Sequence, residues 1–94
     1  MDEVILAELY TDTEESFRVK DISDSVTASG NITIRLERYV QGEWKEVDTW
    51  SETQEQGFVE PDVKDSLIED ARRRILEKPH LDANEITGDE RRYH

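Results

Sequence analysis

The residues best suited to contact a partner are six side chains in the middle of the chain, three carboxylates and three aromatic rings. They occur at every second position, or nearly so, of two β-prone segments, residues 32–40 and 43–52, so an extended chain would place them on one face of a sheet. Tryptophan and tyrosine are frequent interface anchors, and carboxylates pair with the arginine and lysine of a basic partner. The members of this predicted binding face are Glu37, Tyr39, Trp44, Glu46, Asp48 and Trp50.

A second group of carboxylates lies in a polar turn between the first two predicted strands. Asp12, Glu14 and Glu15 would add negative charge to the predicted binding face. Neither this turn nor residues 82–90 have the ligand spacing of an EF-hand calcium loop, in which oxygen ligands alternate around a central glycine. In a chain with 24 acidic residues such clusters arise by chance, so we predict solvated surface and no metal site.

The residue types needed for catalysis are scarce. The chain has no cysteine, and its two histidines, His80 and His94, lie outside the predicted strands and helix. The glycines are isolated, so no phosphate-binding or dinucleotide-binding loop is present, and no G-x-S-x-G nucleophile motif occurs. We therefore predict a protein that is not an enzyme and uses no cofactor. No segment carries a motif that identifies a protein family.

The charge balance points to the kind of partner. The formal net charge is −12, and residues 1–60 account for most of it, with 15 acidic and 5 basic side chains. Such a chain is repelled by nucleic acid and by anionic membranes, so neither is expected to bind directly. No signal-peptide pattern is present, and no apolar run approaches the roughly 20 residues of a membrane span. We expect a soluble cytoplasmic protein.

The hydrophobic pattern predicts an α+β fold with strands first and a helix last. Residues 3–10, 17–22, 32–40 and 43–52 are β-prone, which predicts a small antiparallel sheet of three to four strands.

One helix is predicted over residues 61–78. Pro61 suits the first helical position, apolar residues recur at helical spacing, and Pro79 ends the pattern. A helix packed on one face of the sheet buries both apolar surfaces, so we predict a single acidic domain over residues 1–79. The polar residues 80–94 are expected to form a loosely ordered tail.

The register between residues 32–40 and 43–52 decides whether the predicted binding face exists. A four-residue connection is favoured, because a slip by one residue would move carboxylates onto the aliphatic face. In the alternative interpretation the sheet is wrapped or bulged, and the tryptophans complete a small core. The pairs of the favoured register are Tyr39 with Trp44, Glu37 with Glu46, Leu36 with Val47 and Arg35 with Asp48.

Two functions are consistent with these features. The first is a non-catalytic acidic module that occupies the basic, nucleic-acid-binding surface of a partner protein, because carboxylates satisfy the same donors as phosphates. In size and charge the chain resembles small phage or mobile-element inhibitors of restriction, CRISPR and other nucleic-acid-handling systems, which implies inhibition by steric competition. The alternative is a salt-adapted structural or scaffold subunit that self-associates through its sheet, for example as a homodimer.

Overall fold

The computed structural model describes residues 3–23, 31–53, 61–78, 81 and 83–91, and these residues form five strands and one helix. All strands belong to one antiparallel sheet with the order β4-β3-β2-β1-β5. The four predicted strands and the predicted helix match observed elements to within two residues at each end. The elements are β1 Val4–Thr11, β2 Ser16–Asp21, β3 Asn31–Val40, β4 Glu43–Thr53, α1 Pro61–Leu76 and β5 Ile86–Arg91.

The α+β class is confirmed, but α1 is not the last element and the sheet exceeds the predicted three to four strands. β5 lies within residues 80–94, where a loosely ordered tail was predicted. Ile86 is its one apolar side chain, so no hydrophobic period marks it as a strand. Pairing with β1 holds it, together with Arg91, which donates to Asp65 at 2.9 Å and to Glu69 at 2.8 Å on α1.

One face of the sheet packs against α1 and forms the hydrophobic core. Alternate residues of the strands point to this face, except at the bulge of β1, where the adjacent Leu6 and Ala7 are both buried, and the apolar stripe of α1 meets them. Burial of this surface is the main stabilising term of the fold. The fully buried helix side chains are Leu67, Ile68, Ala71 and Ile75, and the strand side chains with at most 2% exposure are Leu6, Ala7, Leu9, Phe17, Val19, Ile32, Ile34 and Leu36.

The connection between β3 and β4 is the predicted one. Tyr39 lies opposite Trp44, and Glu37 lies opposite Glu46. The turn at residues 41–42 has φ angles of 51° and 84°. Two successive residues with positive φ suit a tight hairpin whose twist matches that of the strands. The predicted register is therefore correct next to the turn.

Farther from the turn the predicted register is wrong because β4 contains a β-bulge. Val47 has no partner on β3, and Asp48 takes the place opposite Leu36. A bulge adds one residue to one strand, so the side chains beyond it change face. The predicted pairs of Leu36 with Val47 and of Arg35 with Asp48 do not form. Trp50 consequently points to the face that α1 covers.

Candidate functional site

The other face of the sheet, which no element among the described residues covers, is the candidate site, and we call it the open face. Two neighbouring rows of side chains form the site, next to a third row on the same face that contains Ile5, Lys20, Arg35 and Thr49. The aromatic row consists of Tyr10 of β1, Ser16 of β2, Tyr39 of β3 and Trp44 of β4. The charged row consists of Glu90 of β5, Glu8 of β1, Arg18 of β2, Glu37 of β3 and Glu46 of β4.

Two rings of the aromatic row, those of Tyr39 and Trp44, are held in place by each other and by a neighbouring cation. Tyr39 and Trp44 pack edge to face, with ring centroids 5.1 Å apart. The guanidinium carbon of Arg18 lies 4.3 Å from the Trp44 ring centroid, which is a cation–π contact. Tyr39 remains 49% exposed and Tyr10 remains 37% exposed. The row therefore presents fixed aromatic surface to solvent.

A cleft opens within the aromatic row because Ser16 is small. Tyr10 stands on one side of it, and Tyr39 and Trp44 stand on the other. Its volume is ≈ 200 Å³, and Glu8 completes its lining. The Tyr10 hydroxyl donates to Oε2 of Glu8 at 3.0 Å, which fixes the carboxylate beside the ring. The cleft thus combines aromatic walls with one negative charge.

Glu37 belongs to the predicted binding face, but its carboxylate is buried within an ion-pair cluster. Its side chain accepts from Arg18 Nε at 2.5 Å and lies 3.5 Å from Lys20 Nζ and 3.9 Å from Arg35 Nη1. The residue is only 6% exposed. Glu46, in contrast, has a 56% exposed side chain and pairs with Arg35 at 3.1 Å. Glu37 therefore holds neighbouring strands together, while Glu46 remains accessible to a partner.

Asp48 and Trp50 were predicted to share the face of Trp44, and both predictions are wrong. The bulge turns them toward α1, where Trp50 is 9% exposed and the guanidinium carbon of Arg74 lies 4.1 Å from its ring centroid. Arg74 also donates to Oδ2 of Asp48 at 3.0 Å. Burial opposes ionisation of Asp48, yet the hydrogen bond from Arg74 and the charge of Lys78 lower its pKa overall.

The carboxylates of the first turn have mainly structural partners. Oδ1 of Asp12 accepts from the backbone N–H groups of residues 84–85, which fixes the chain before β5. These hydrogen bonds, foremost that from residue 84, lower the pKa of Asp12. Glu15 pairs with Arg38. Glu14 is exposed and has a positive φ of 61° within the turn. The turn therefore anchors β5 rather than extending the open face.

Sequence reasoning missed the half of the site that lies on β1 and β2. The apolar run of β1 predicts a well-buried strand, which obscures Glu8 and Tyr10. Both occupy alternate positions and share the open face with Arg18 of β2. Alternation along a strand places Glu8 and Tyr10 on the face opposite the buried Ala7 and Leu9. This alternation is the sequence signal that could have assigned both residues to the open face.

The described part of the chain offers neither a metal site nor a membrane-spanning helix. There, no group of three or more His, Cys, Asp or Glu side chains is arranged to hold a metal ion. No helix in the same residues is both long enough and apolar enough to cross a membrane. Comparisons with protein-family models, with curated proteins and with solved structures find no match. The function is therefore inferred from the geometry of the open face.

Proposed function

We propose that this protein is a non-catalytic binding module that engages a basic protein partner through the open face. The observation that supports the proposal is the row of partly exposed aromatic rings around a cleft, on a sheet face without a covering element among the described residues. Ring pairs that pack against each other keep their conformation on binding, so little side-chain entropy is lost. Contiguous exposed aromatic surface is typical of a protein-interaction site.

The charge of the open face favours a basic partner. The charged row contains four carboxylates and one guanidinium, a formal charge of −3, and the neighbouring Lys20, Arg35 and Glu3 bring the open face to −2, within a chain of net charge −12. Arg18 is the one cation in that row, and Glu37 compensates its charge at 2.5 Å. A negative surface of this kind accelerates encounter with a positive one and disfavours nucleic acid.

The narrower form of the proposal is that the partner binds nucleic acid and that this protein inhibits it. Carboxylates on the open face would occupy the arginine and lysine side chains that otherwise hold phosphates. Inhibition then consists of steric competition, and we place it in the cytoplasm. An anti-defence protein of a phage or mobile element would act in this way.

Affinity capture with matched variants tests the binding site. The double variant Glu90→Lys/Tyr39→Ala changes one exposed residue in each row of the open face, and Glu77→Lys places one charge reversal at the end of α1. We expect the wild type and Glu77→Lys to capture the same basic protein, and the double variant to lose it while its circular dichroism spectrum stays unchanged.

The outcomes separate the proposal from nonspecific attraction. Capture by the double variant would show that the open face is not the binding site. Equal loss by Glu77→Lys would show that only net charge matters. Release of the captured protein by duplex DNA or RNA would support the narrower form, whereas simultaneous binding of nucleic acid would contradict steric competition.

Self-association of a salt-adapted subunit is the second candidate, and one structural observation bears on it. β4 is an edge strand of the described sheet and spans eleven residues, long enough to pair with another chain. Its bulge at Val47 and the charged residues Lys45 and Glu46 make pairing with another chain less favourable, because bulges and edge charges disfavour edge-to-edge pairing. We therefore rank this function second.

Sedimentation and thermal unfolding in potassium chloride distinguish the two functions. For the binding module we expect a monomer by sedimentation. Its thermal unfolding midpoint should rise little above a few tenths molar salt, where the Debye length is about 5 Å and simple charge repulsion is screened. A dimer whose midpoint keeps rising into the molar range would instead favour the salt-adapted subunit.

A further inference from the structure

We propose that the cleft of the open face is a pocket for one arginine side chain of the basic partner. This inference deepens the proposed function and rests on it, since it identifies the group that the open face recognises. Its support comes from the size of the cleft, from the charge beside it and from the way the same fold already holds arginine elsewhere.

The dimensions of the cleft suit a single side chain. Tyr10 and Tyr39 stand on β1 and β3, two strand spacings or about 10 Å apart, with Ser16 between them. The volume of ≈ 200 Å³ is below the roughly 300–1,000 Å³ of pockets that enclose small-molecule ligands. One long side chain entering from a partner surface fits the space between the rings.

The charge at the cleft favours a cation. Glu8 lines the cleft and lies opposite Glu90 across β1 and β5, so two like charges occupy neighbouring positions. Arg18 lies opposite Glu8 on β2, but Glu37 accepts from Arg18 at 2.5 Å, so an incoming cation still meets a net negative charge here. Tyr10 donates to Oε2 of Glu8, and because a carboxylate accepts several hydrogen bonds at once, an incoming guanidinium would add to the partners that Glu8 already has.

On the face of the sheet that packs against α1, an arginine of the protein itself is held by an aromatic ring and a carboxylate. Arg74 places its guanidinium carbon 4.1 Å from the Trp50 ring centroid and donates to Asp48 at 3.0 Å. The cleft offers the same two elements, aromatic rings and the carboxylate of Glu8. A planar guanidinium stacks on a ring and donates in its own plane at once, whereas an ammonium group is a point charge without that geometry. Arginine is therefore favoured over lysine.

Short peptides test the pocket directly. The probes are an acetylated Gly-Arg-Gly-Arg-Gly amide, its lysine counterpart and its citrulline counterpart, which keeps the shape of arginine without the charge. Binding is followed at low ionic strength by NMR shifts of the Tyr10 and Tyr39 rings and by tryptophan fluorescence. We expect the arginine peptide to bind most tightly, the lysine peptide about fivefold more weakly, and the citrulline peptide not to bind measurably.

Matched variants locate the binding within the molecule. Glu8→Gln keeps the shape of the side chain and should weaken the arginine peptide about tenfold, because a hydrogen bond to a charged group is lost. Glu77→Gln, the control at the end of α1, should change the affinity less than about twofold, as expected for a screened distant charge. Circular dichroism confirms that both variants fold.

Two results would overturn the arginine pocket. One is equal binding of the arginine and lysine peptides with equal weakening by both variants, which would indicate diffuse attraction. The other is no shift of the Tyr10 and Tyr39 rings at saturating arginine peptide. If either occurs while Glu90→Lys/Tyr39→Ala still abolishes capture of the partner, the pocket is rejected and the proposed function stands. Retention of the partner by that double variant rejects the proposed function separately.

Discussion

The two tryptophans of β4 show how similar contacts serve different purposes on the two faces of the sheet. Trp44 and Trp50 each have an arginine guanidinium against the ring, at 4.3 Å and 4.1 Å. Trp50 lies under α1 and is 9% exposed, whereas Trp44 borders the cleft on the open face. A cation–π pair therefore does not by itself indicate a structural or a binding role. The role of each tryptophan depends on which face of the sheet its ring occupies, and the bulge in β4 determines that face for Trp50.

The largest expected effect comes from truncating the two tryptophans. Trp50→Ala removes a buried side chain from the core and should lower the free energy of unfolding by about 4 kcal/mol. Trp44→Ala removes an aromatic pair and a cation–π contact at the surface, which should cost about 1–2 kcal/mol. Urea unfolding of both variants measures the difference. Equal losses would show that the two faces contribute alike to stability.

The second prediction compares two glutamates that face each other on β3 and β4. Glu37→Ala leaves Arg18 and Lys20 without their shared buried carboxylate and should cost about 3 kcal/mol. Glu46→Ala removes an exposed partner of Arg35 and should cost less than about 1 kcal/mol. Chemical denaturation tests both. A small effect at Glu37 would mean that its ion pairs do not stabilise the sheet.

Deleting Val47 tests the bulge itself. Glu46 and Asp48 keep their partners Glu37 and Leu36 when the extra residue is removed, so Trp50 should stay on the covered face. The loss of the partly buried valine should cost about 1 kcal/mol. In a Trp44→Phe background, acrylamide quenching reports Trp50 alone and should remain weak. Strong quenching after the deletion would mean that the residues beyond Val47 do not keep their partners on β3.

The smallest expected effect is the contribution of Asp48, on the face that packs against α1, to the loss of stability in acid. The pKa of Asp48 lies below its ordinary value of 3.8, so its ion pairs stabilise the fold at neutral pH, and the stabilisation is lost as pH falls below about 4 through that lowered pKa. Asp48→Asn should therefore reduce the drop in melting temperature between pH 7 and pH 3. An unchanged drop would show that Asp48 does not contribute to acid unfolding.

Glu3, on the open face, also contributes to the loss of stability in the same range of acidic pH. Lys20 donates to its carboxylate and lowers its pKa from an ordinary value of 4.5, so its contribution is also present at neutral pH and is lost on acidification. Residual acid sensitivity in Asp48→Asn is expected for this reason.

The sequence predicts much of the fold because most elements have a clear hydrophobic period. Four strands and α1 follow directly from it, but polar β5 does not, since its long-range contacts rather than its own pattern hold it in the sheet. On β4, the alternation of the sequence would place residues 44, 46, 48 and 50 on one face, but the bulge at Val47 moves residues 48 and 50 to the other face. A bulged sheet with the tryptophans in the core is the alternative interpretation of the sequence, and Trp50 follows it while Trp44 does not. One extra residue changes neither composition nor period, so the position of the bulge could not be located from the sequence.

The candidate site was predictable only in part for the same reason. Tyr39, Trp44 and Glu46 lie next to a turn that their sequence specifies, and all three are on the open face. The cleft also needs Tyr10 and Ser16, which reach Tyr39 only through the pairing of β1, β2 and β3. Proximity of this kind depends on strand order, which local patterns do not determine.

The pairing of β1 with β5 has a consequence for how the chain acquires its structure during synthesis. Residues 4–11 leave the ribosome long before their neighbour at residues 86–91, so one side of β1 stays unpaired in the interval. Contacts between such distant segments close late because a large loop must be ordered first. A nascent chain therefore exposes the β1 edge, and a peptide with the β5 sequence ITGDER should compete for it during refolding and slow recovery of the native state.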